Sequence, residues 1–561
     1  MDTLWEKINL KVNVSLMAKT LGISETLATL IANKGIKSKN EALKYLKPSK
    51  QNFSNAPIKG IAEAINLINS ASASKICIYG DYDVDGVMSI CILYKILKEN
   101  YNVSYYIPHR VKEGYGLNSS AVYKIHEAGT SLLILVDNGI AANEEIKLAK
   151  SLGMKVIIID HHEPNSELPI ADVIINPKQF GCVYPFKEMC AAGLCYRFAL
   201  QFTGEVENEE LLIFASIATI CDVVDLKEDN RIIVRHGLDI IENLENKGLK
   251  SLLKLVNKTD EVTEETISYY LGPAINAAGR LDSAKKAVSL ILDEDESKAN
   301  EIFNLNNERK ELLKEAGELK LENEAELNFL IIHKENLHES LAGILAGRLA
   351  DKHNKPTLVF TGKEILKASG RSVDGFNLYK ALAENRNLFI KFGGHEMAAG
   401  LTMPAENLKA LQNSLQQASF NYNNKKKILI DAELTLNEVT YTFAKEISYL
   451  RPFGRKNENP IFLTRHIEVS ELRVMEDKNT IIFTFTYEDR AVKGISFGMI
   501  EEFKNKVNRV FEPYNAEKIK AGIIRTVRLL VDVVYYIEVN SFRGNKSVQM
   551  RILDFNFLSN G

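Results

Sequence analysis

The chain has 561 residues, 45% of them hydrophobic and 25% charged. At roughly 150 residues per domain this is three or four domains, and the composition excludes a disordered, collagenous or fibrous chain. Seventy Lys and Arg against 73 Asp and Glu leave a net charge of −3, so there is no global field to attract nucleic acid, and any such binding has to come from local patches.

Residues 1–60 read as short helices at Leu16 to Leu21, Ile23 to Asn33 and Asn40 to Leu46, with ten Lys against four acids. The first residues mix charged and apolar side chains without a continuous apolar run, so no signal peptide is expected. No stretch of 18 apolar residues occurs, so no membrane span is expected either. Cys77, Cys91, Cys182, Cys190, Cys195 and Cys221 form no CxxC pair. The spacing of Cys182, Cys190 and Cys195 fits no zinc site, and buried reduced thiols in a cytoplasmic protein are the expectation.

From Lys75 the pattern becomes strand and helix in alternation. Ile76 to Tyr79, Leu132 to Val136 and Val156 to Ile159 are short apolar runs. Helix-like segments follow at Val87 to Leu97, Ser119 to Ala128 and Asn143 to Leu152. Such alternation predicts a parallel sheet with helical crossovers. Ser283 to Glu326 reads as one long connecting helix. A second α/β region follows, with strands at Phe329 to Ile332 and Pro356 to Phe360 and a glycine pair at Gly393-Gly394. Thr480 to Tyr487, Arg528 to Val539 and Val548 to Phe555 alternate, which predicts a small all-β barrel or sandwich without long helices. Residues 503–551 hold ten Lys and Arg against four acids.

Each of the first three strands runs into acid: Asp81-Tyr82-Asp83-Val84-Asp85-Gly86, then Asp137-Asn138-Gly139, then Asp160-His161-His162. Ligands of open α/β sheets bind outside the carboxyl ends of the strands. Carboxylates gathered there repel and call for cations. Oxygens with imidazole suit Mn²⁺ or Mg²⁺, and shared carboxylates can hold two ions about 3.5–4 Å apart for phosphoryl displacement. The first motif alone has the look of a calcium loop, but an EF-hand needs Glu where Ile92 stands. Asp-Asn-Gly alone is a common turn. It is the three motifs at successive strand ends that point to a metal site.

These motifs resemble the DHH phosphoesterase family. A fourth family motif, an Asp at the end of a buried helix, is matched by Asp222 after Leu211 to Ile220. The resemblance implies that Asp83 and Asp137 hold one ion, and that Asp85, Asp137, His161 and Asp222 hold the other. It places His162 beside the scissile phosphate and Asp81 close to the reaction. Within the family, the chain resembles the RecJ exonucleases. The resemblance rests on Ile107 to Leu117, Leu271 to Leu281, Leu341 to Leu349, Ser369 to Ser372, Phe392 to His395 with Ala398 to Gly400, and Pro452-Phe453-Gly454 with Asn459 to Phe462. It departs from the RecJ pattern at Ala274, where Arg is usual, at Asp225, where Pro is usual, and at Ser340-Leu341-Ala342-Gly343, where the pattern is Gly-Val-Ile-Gly.

The resemblance implies a multidomain α/β fold. Its parts are an N-terminal helical segment (1–60), a DHH parallel-sheet lobe (61–235), a helical region with the connecting helix (236–325), a second α/β lobe of DHHA1 type (326–425) and an OB-like barrel that binds nucleic acid (426–561). It further implies 5′-to-3′ hydrolysis of single-stranded DNA by two Mn²⁺ or Mg²⁺ ions. Arg110, Ser369 and Arg371 would capture the terminal 5′-phosphate, and Arg280 the phosphate near the metals. Gly394 and His395 would touch the strand. A single-strand-binding protein and a repair helicase are the partners implied, with a bacterial cytoplasmic monomer in DNA repair and recombination. One rival is a DHH phosphodiesterase of short oligonucleotides or cyclic dinucleotides, which the barrel and the 271–281 motif oppose. The other is a non-catalytic scaffold, which the full ligand set opposes.

Overall fold

The structure, a computed structural model, describes residues 3–9, 13–70, 75–204, 206, 208–257, 261–317, 327–417, 427–488, 490–524, 529–542 and 545–558. The chain forms two units, one of residues 50–424 and one of residues 1–49 with 425–561.

The larger unit begins with a five-stranded parallel sheet in the order Asn102–Tyr106, Lys75–Gly80, Leu132–Val136, Lys155–Ile159, Val173–Ile175. The three central strands are apolar and almost wholly buried, as strands covered by helices on both faces must be. The first strand of this sheet in chain order, Lys75–Gly80, has the second on one side and the third on the other. Chain order reverses there, and the crevice at the carboxyl ends of Lys75–Gly80 and Leu132–Val136 is the switch point where such sheets bind ligands. Helices Val84–Leu97, Ala191–Phe202 and Glu209–Cys221 pack on one face in a single large core.

Sequence patterning placed the central strands within a residue and missed the two edge strands, which are short or only half-buried. The expected helix from Ser283 is two helices, Lys285–Leu292 and Glu296–Gly317. They part at Glu294, whose φ is 53°, and Asp295 starts the second by accepting from Ser297 N at 2.9 Å. Residues 318–326 of that expectation lie outside the described residues.

The second lobe of this unit is a mixed sheet in the order Lys391–His395, Ala398–Pro404, Ile365–Arg371, Thr357–Thr361, Leu330–His333. Helices Glu339–His353, Leu378–Ala383 and Leu408–Gln417 accompany it.

The smaller unit is built on a closed five-stranded barrel of Phe462–Met475, Thr480–Tyr487, Arg490–Phe497, Asn545–Phe557 and Leu530–Phe542, the last pairing back to the first. Phe462, Phe483, Phe485, Phe555 and Tyr535 fill it. Two short helices, Ile500–Val510 and Pro513–Lys520, lie between the third strand and Leu530–Phe542 in chain order.

The N-terminal helices Val14–Leu21, Glu25–Asn33 and Lys39–Leu46 share the barrel's apolar cluster. A strand at Leu4–Lys7, unforeseen from the sequence, pairs in parallel with Lys427–Ile430. Trp5 Nε1 donates to Asp554 at 2.8 Å, and Asp554 also pairs with buried Lys506. Much of the positive count over 503–551 is spent in such pairs: Lys504 meets Glu476, Lys520 meets Glu517 and Arg551 meets Glu538. Among the described residues no single helix is long and apolar enough to cross a membrane.

Candidate metal centre and the cleft beside it

Asp81, Asp83 and Asp85 lie where strand Lys75–Gly80 turns into helix Val84–Leu97. The turn depends on Gly86, since a Cβ there would stand 2.4 Å from Asp81 O. Asp83 is the helix N-cap and accepts from Asp85 N and Gly86 N at 3.0 and 3.1 Å. The helix therefore starts three residues earlier than its apolar pattern suggests. Asp85 points inward, 1% exposed, and its oxygens accept from Ala191 N at 2.7 Å and Ala192 N at 2.8 Å at the start of a second helix. Two helix N-termini thus bring their positive ends to these carboxylates.

Asp137 follows strand Leu132–Val136 in the left-handed region, φ 58°, and its N–H bonds Ile159 O at 3.0 Å. A non-glycine residue held there stores roughly 1–3 kcal/mol of strain, a feature that collects at functional sites. Asp222 is the C-cap of helix Glu209–Cys221, which is buried on every side from Leu211 to Ile220.

These elements place His161 Nε2 3.3 Å from Asp137 Oδ1, 3.6 Å from Asp222 Oδ2 and 3.8 Å from Asp85 Oδ2. Ligand-type atoms within 4.8 Å of one another form three sets: Asp81, Asp83 and Asp137; Asp85, His161 and Asp222; Asp137, His161 and His162. Asp137 belongs to two of them. Asp81 joins the first, a position the sequence left open.

Asp160, unassigned from the sequence, is the hub of the third motif. Its carboxylate accepts from Ile140 N, His161 N and His162 N, and lies 2.7 Å from His162 Nδ1. The signal for it was the Asp-His-His turn itself, because Asp side chains cap the backbone that follows them. Tyr115, also missed, puts its hydroxyl 3.3 Å from His162 Nε2.

Burial, then the field of neighbouring carboxylates, pushes Asp81 and Asp222 up to about 8 and Asp85 to about 6, and holds Asp137 well above the ordinary range. Asp160 goes the other way: burial is the largest single influence and opposes ionisation, but the hydrogen bond and charge of His162 and the backbone N–H groups of Ile140 and His162 together outweigh it. For His162 burial favours the neutral ring, yet the Asp160 bond and the surrounding carboxylates push it to about 9. Burial and then His162 push His161 down to about 3, leaving the neutral imidazole that binds metals.

The donor set fits divalent cations. Among the described residues, buried Asp81 Oδ1, Asp222 Oδ2 and His161 Nε2 have no hydrogen-bond partner, although buried polar groups are almost always satisfied. A testable consequence concerns pH. Carboxylates whose folded pKa is raised hold protons that the unfolded chain has lost, so their stability contribution fades as pH rises toward the folded pKa. Below about 6.5 His161 opposes this trend, because its folded pKa is lowered. Between pH 6.5 and 8, thermal unfolding in EDTA will therefore shift to lower temperature. Each proton held only by the fold contributes about 1.4 kcal/mol per pH unit. Saturating Mn²⁺ will replace the carboxyl protons and reduce the decline to the part that His162, held at about 9, contributes. A pH-independent midpoint in EDTA would contradict these carboxylate shifts.

A cleft of about 750 Å³ adjoins the acids. It brings together Arg110, Arg280, Ser369 and Arg371, residues from three distant segments, with Tyr82 and Tyr115 on its wall. The Arg110 guanidinium stacks on Tyr82 at 4.6 Å. Arg280 is pushed down to about 10 by burial and then by Arg110 and Arg309, and Arg371 is lowered by burial and then Arg110. Among the described residues none of the three has a carboxylate partner, an arrangement suited to an anion with several negative oxygens. Gly393 lines the cleft, whereas Gly394 and His395 lie exposed beyond it in the hairpin that pairs with Ala398 and Ala399. Ala274, where the RecJ pattern has Arg, is fully buried and faces the core.

Family models match at residues 75–221 (DHH family, N-terminal domain), 326–419 (DHHA1 domain) and 430–554 (RecJ OB domain). The single-stranded-DNA-specific exonuclease RecJ of Bacillus subtilis is 34% identical, over 96% of this chain and 69% of its own length. The Escherichia coli protein of the same name is 28% identical, over 94% of this chain and 95% of its own. The crystal structure of Thermus thermophilus RecJ in complex with Mn²⁺ superposes with a TM-score of 0.83 at 22% identity, covering 99% of this chain and 79% of that one. Barrel, lobes and acid-rich strand ends therefore have one common source, and the chain belongs to the RecJ family of single-stranded-DNA-specific exonucleases.

Proposed function

We propose that the protein is a metal-dependent exonuclease that hydrolyses single-stranded DNA from its 5′ end. The observation that carries this reading is the juxtaposition of a carboxylate–histidine cluster with a cleft holding three arginines that have no acidic partner among the described residues. The cluster would hold two Mn²⁺ or Mg²⁺ ions: Asp81, Asp83 and Asp137 on one side, Asp85, His161 and Asp222 on the other, with Asp137 shared. When bound, such ions supply a nucleophilic water at neutral pH and neutralise the phosphate undergoing displacement.

The protein's own groups do the rest. Asp160 accepts the Nδ1 proton of His162 and leaves Nε2–H to donate to a phosphate oxygen or to the departing alcohol. The high pKa of His162 keeps that proton in place at neutral pH. Arg280 stabilises charge on the scissile phosphate, while Arg110, Ser369 and Arg371 hold the terminal 5′-phosphate and set polarity. On the barrel unit, exposed Phe497 and Tyr514, the latter under Lys518 at 4.1 Å, offer faces on which bases stack. Gly394 and His395 would meet the strand at the exposed hairpin.

A single-strand-binding protein and a repair helicase are its partners in this reading, and it works as a monomer in the bacterial cytoplasm, in DNA repair and recombination. Single-stranded and duplex DNA labelled at either end, with and without a 5′-phosphate, tests the reading in Mn²⁺ and in EDTA. The expected result is Mn²⁺-dependent release of mononucleotides from the 5′ end of the single strand alone. Release from the 3′ end would overturn the polarity. Turnover of dinucleotides with neglect of long strands would favour a short-oligonucleotide phosphodiesterase.

A further inference from the structure

Within the larger unit the two lobes meet through a pair of residues that bond to each other twice. Arg280 lies in the last turn of helix Gly272–Leu281, where carbonyls lack intrahelical partners. Ser340 lies in the first turn of helix Glu339–His353 and is 6% exposed. Ser340 Oγ donates to Arg280 O at 3.0 Å, and Arg280 Nη1 donates to Ser340 O at 3.0 Å. The serine proton is thereby committed to Arg280, so the serine oxygen accepts from His338 Nδ1 at 2.7 Å. Among the described residues Arg280 Nε and Nη2 have no protein acceptor, and both Arg280 and Ser340 line the cleft.

Gly279, the residue before Arg280, is pressed against the metal loop. A Cβ on Gly279 would stand 2.6 Å from Tyr82 O, the carbonyl between Asp81 and Asp83. One line of close contacts therefore runs from the Asp81–Asp83 loop through Gly279 and Arg280 to Ser340, and so to the lobe that carries Ser369 and Arg371. Glycine, the residue of the RecJ pattern at position 340, would keep the carbonyl acceptor and lose the hydroxyl.

We propose that Ser340, oriented by His338, is a positioning residue that holds the second lobe in register with the metal loop through Arg280, so that the terminal and scissile phosphates are gripped a fixed span apart. This rests on the reading of the cleft as the site of the 5′ end. Ser340→Ala, Ser340→Gly and the surface change His338→Ala will raise KM for 5′-phosphorylated single strands about 3- to 10-fold, the effect of one hydrogen bond. They will leave kcat within about twofold, because the loss falls on ground state and transition state alike. Ser340→Thr, which keeps the hydroxyl, will restore KM.

Hydrogen exchange supplies a readout independent of substrate. Peptides spanning 279–283 and 338–342 will exchange faster in Ser340→Ala and not in Ser340→Thr. Wild-type KM together with unchanged exchange in Ser340→Ala would overturn the proposal. So would a threonine variant as impaired as the alanine one, or a lowered melting temperature without a change in KM. A wild-type protein that cleaves no DNA would instead remove the nuclease reading, and the exchange data would still decide the latch.

Discussion

Asp137→Asn will lower Mn²⁺-dependent hydrolysis of single-stranded DNA by about 1000-fold or more while leaving the protein folded. A metal-assisted displacement draws several kcal/mol of stabilisation from its ions, and about 4 kcal/mol is a thousandfold in rate. Asp137 belongs to the set with Asp81 and Asp83 and lies 3.3 Å from the nitrogen of His161, a member of the other set, so its loss weakens the whole centre. Asparagine is the informative replacement. It tolerates the left-handed backbone at φ 58°, where alanine adds roughly 1–2 kcal/mol of strain. It also removes one of several repelling buried carboxylates. The variant should therefore melt at a higher temperature than wild type in EDTA and gain less from Mn²⁺. Undiminished cleavage, or a variant destabilised in EDTA, would refute this placement of Asp137.

Arg371→Ala will lower kcat/KM on 5′-phosphorylated single strands about 100-fold and will affect 5′-hydroxyl strands far less. Arg371 lines the cleft with Arg110 and has no carboxylate to neutralise it among the described residues. Removing one charge-assisted, desolvated contact costs about 2–5 kcal/mol when the partner stays buried. The guanidinium sits against Gly343, where a Cβ would stand 3.2 Å from Nη2. Lysine does not reproduce that planar fit, so Arg371→Lys should recover little of the loss. Equal impairment on both kinds of end would show that Arg371 serves the fold or the strand in general, not the terminal phosphate.

The metal ligands were legible because each follows an unmistakable buried strand, and parallel strands end on one side of a sheet. Asp222 was different. It caps a helix, has no motif of its own, and was found only through family resemblance. Asp160 stood in view in the Asp-His-His motif, but its role as an acceptor for the turn and for His162 did not, and Tyr115 was hidden because it acts on His162 through a hydrogen bond, which carries no spacing signal. The edge strands Asn102–Tyr106 and Val173–Ile175 escaped because they lack the length or full burial that makes a strand conspicuous. Strand Leu4–Lys7 escaped because its partner, Lys427–Ile430, is far away in the chain. The excess of Lys and Arg over 503–551 was easy to count, but a count is blind to Lys504, Lys506 and Arg551 meeting acids in the fold. In the same way, the net charge of −3 averages acids gathered at one crevice with arginines gathered beside it.

The central claim is that these strand-end acids and histidines form a shared two-ion site. Mn²⁺ titration of the metal-stripped protein near pH 7, followed by calorimetry in buffers of different protonation enthalpy, tests it most directly. The account predicts two ions per chain in the wild type, proton release on binding as the raised carboxylates ionise, and loss of at least one ion in Asp137→Asn. Unaltered stoichiometry in Asp137→Asn, or binding without proton release, would contradict it.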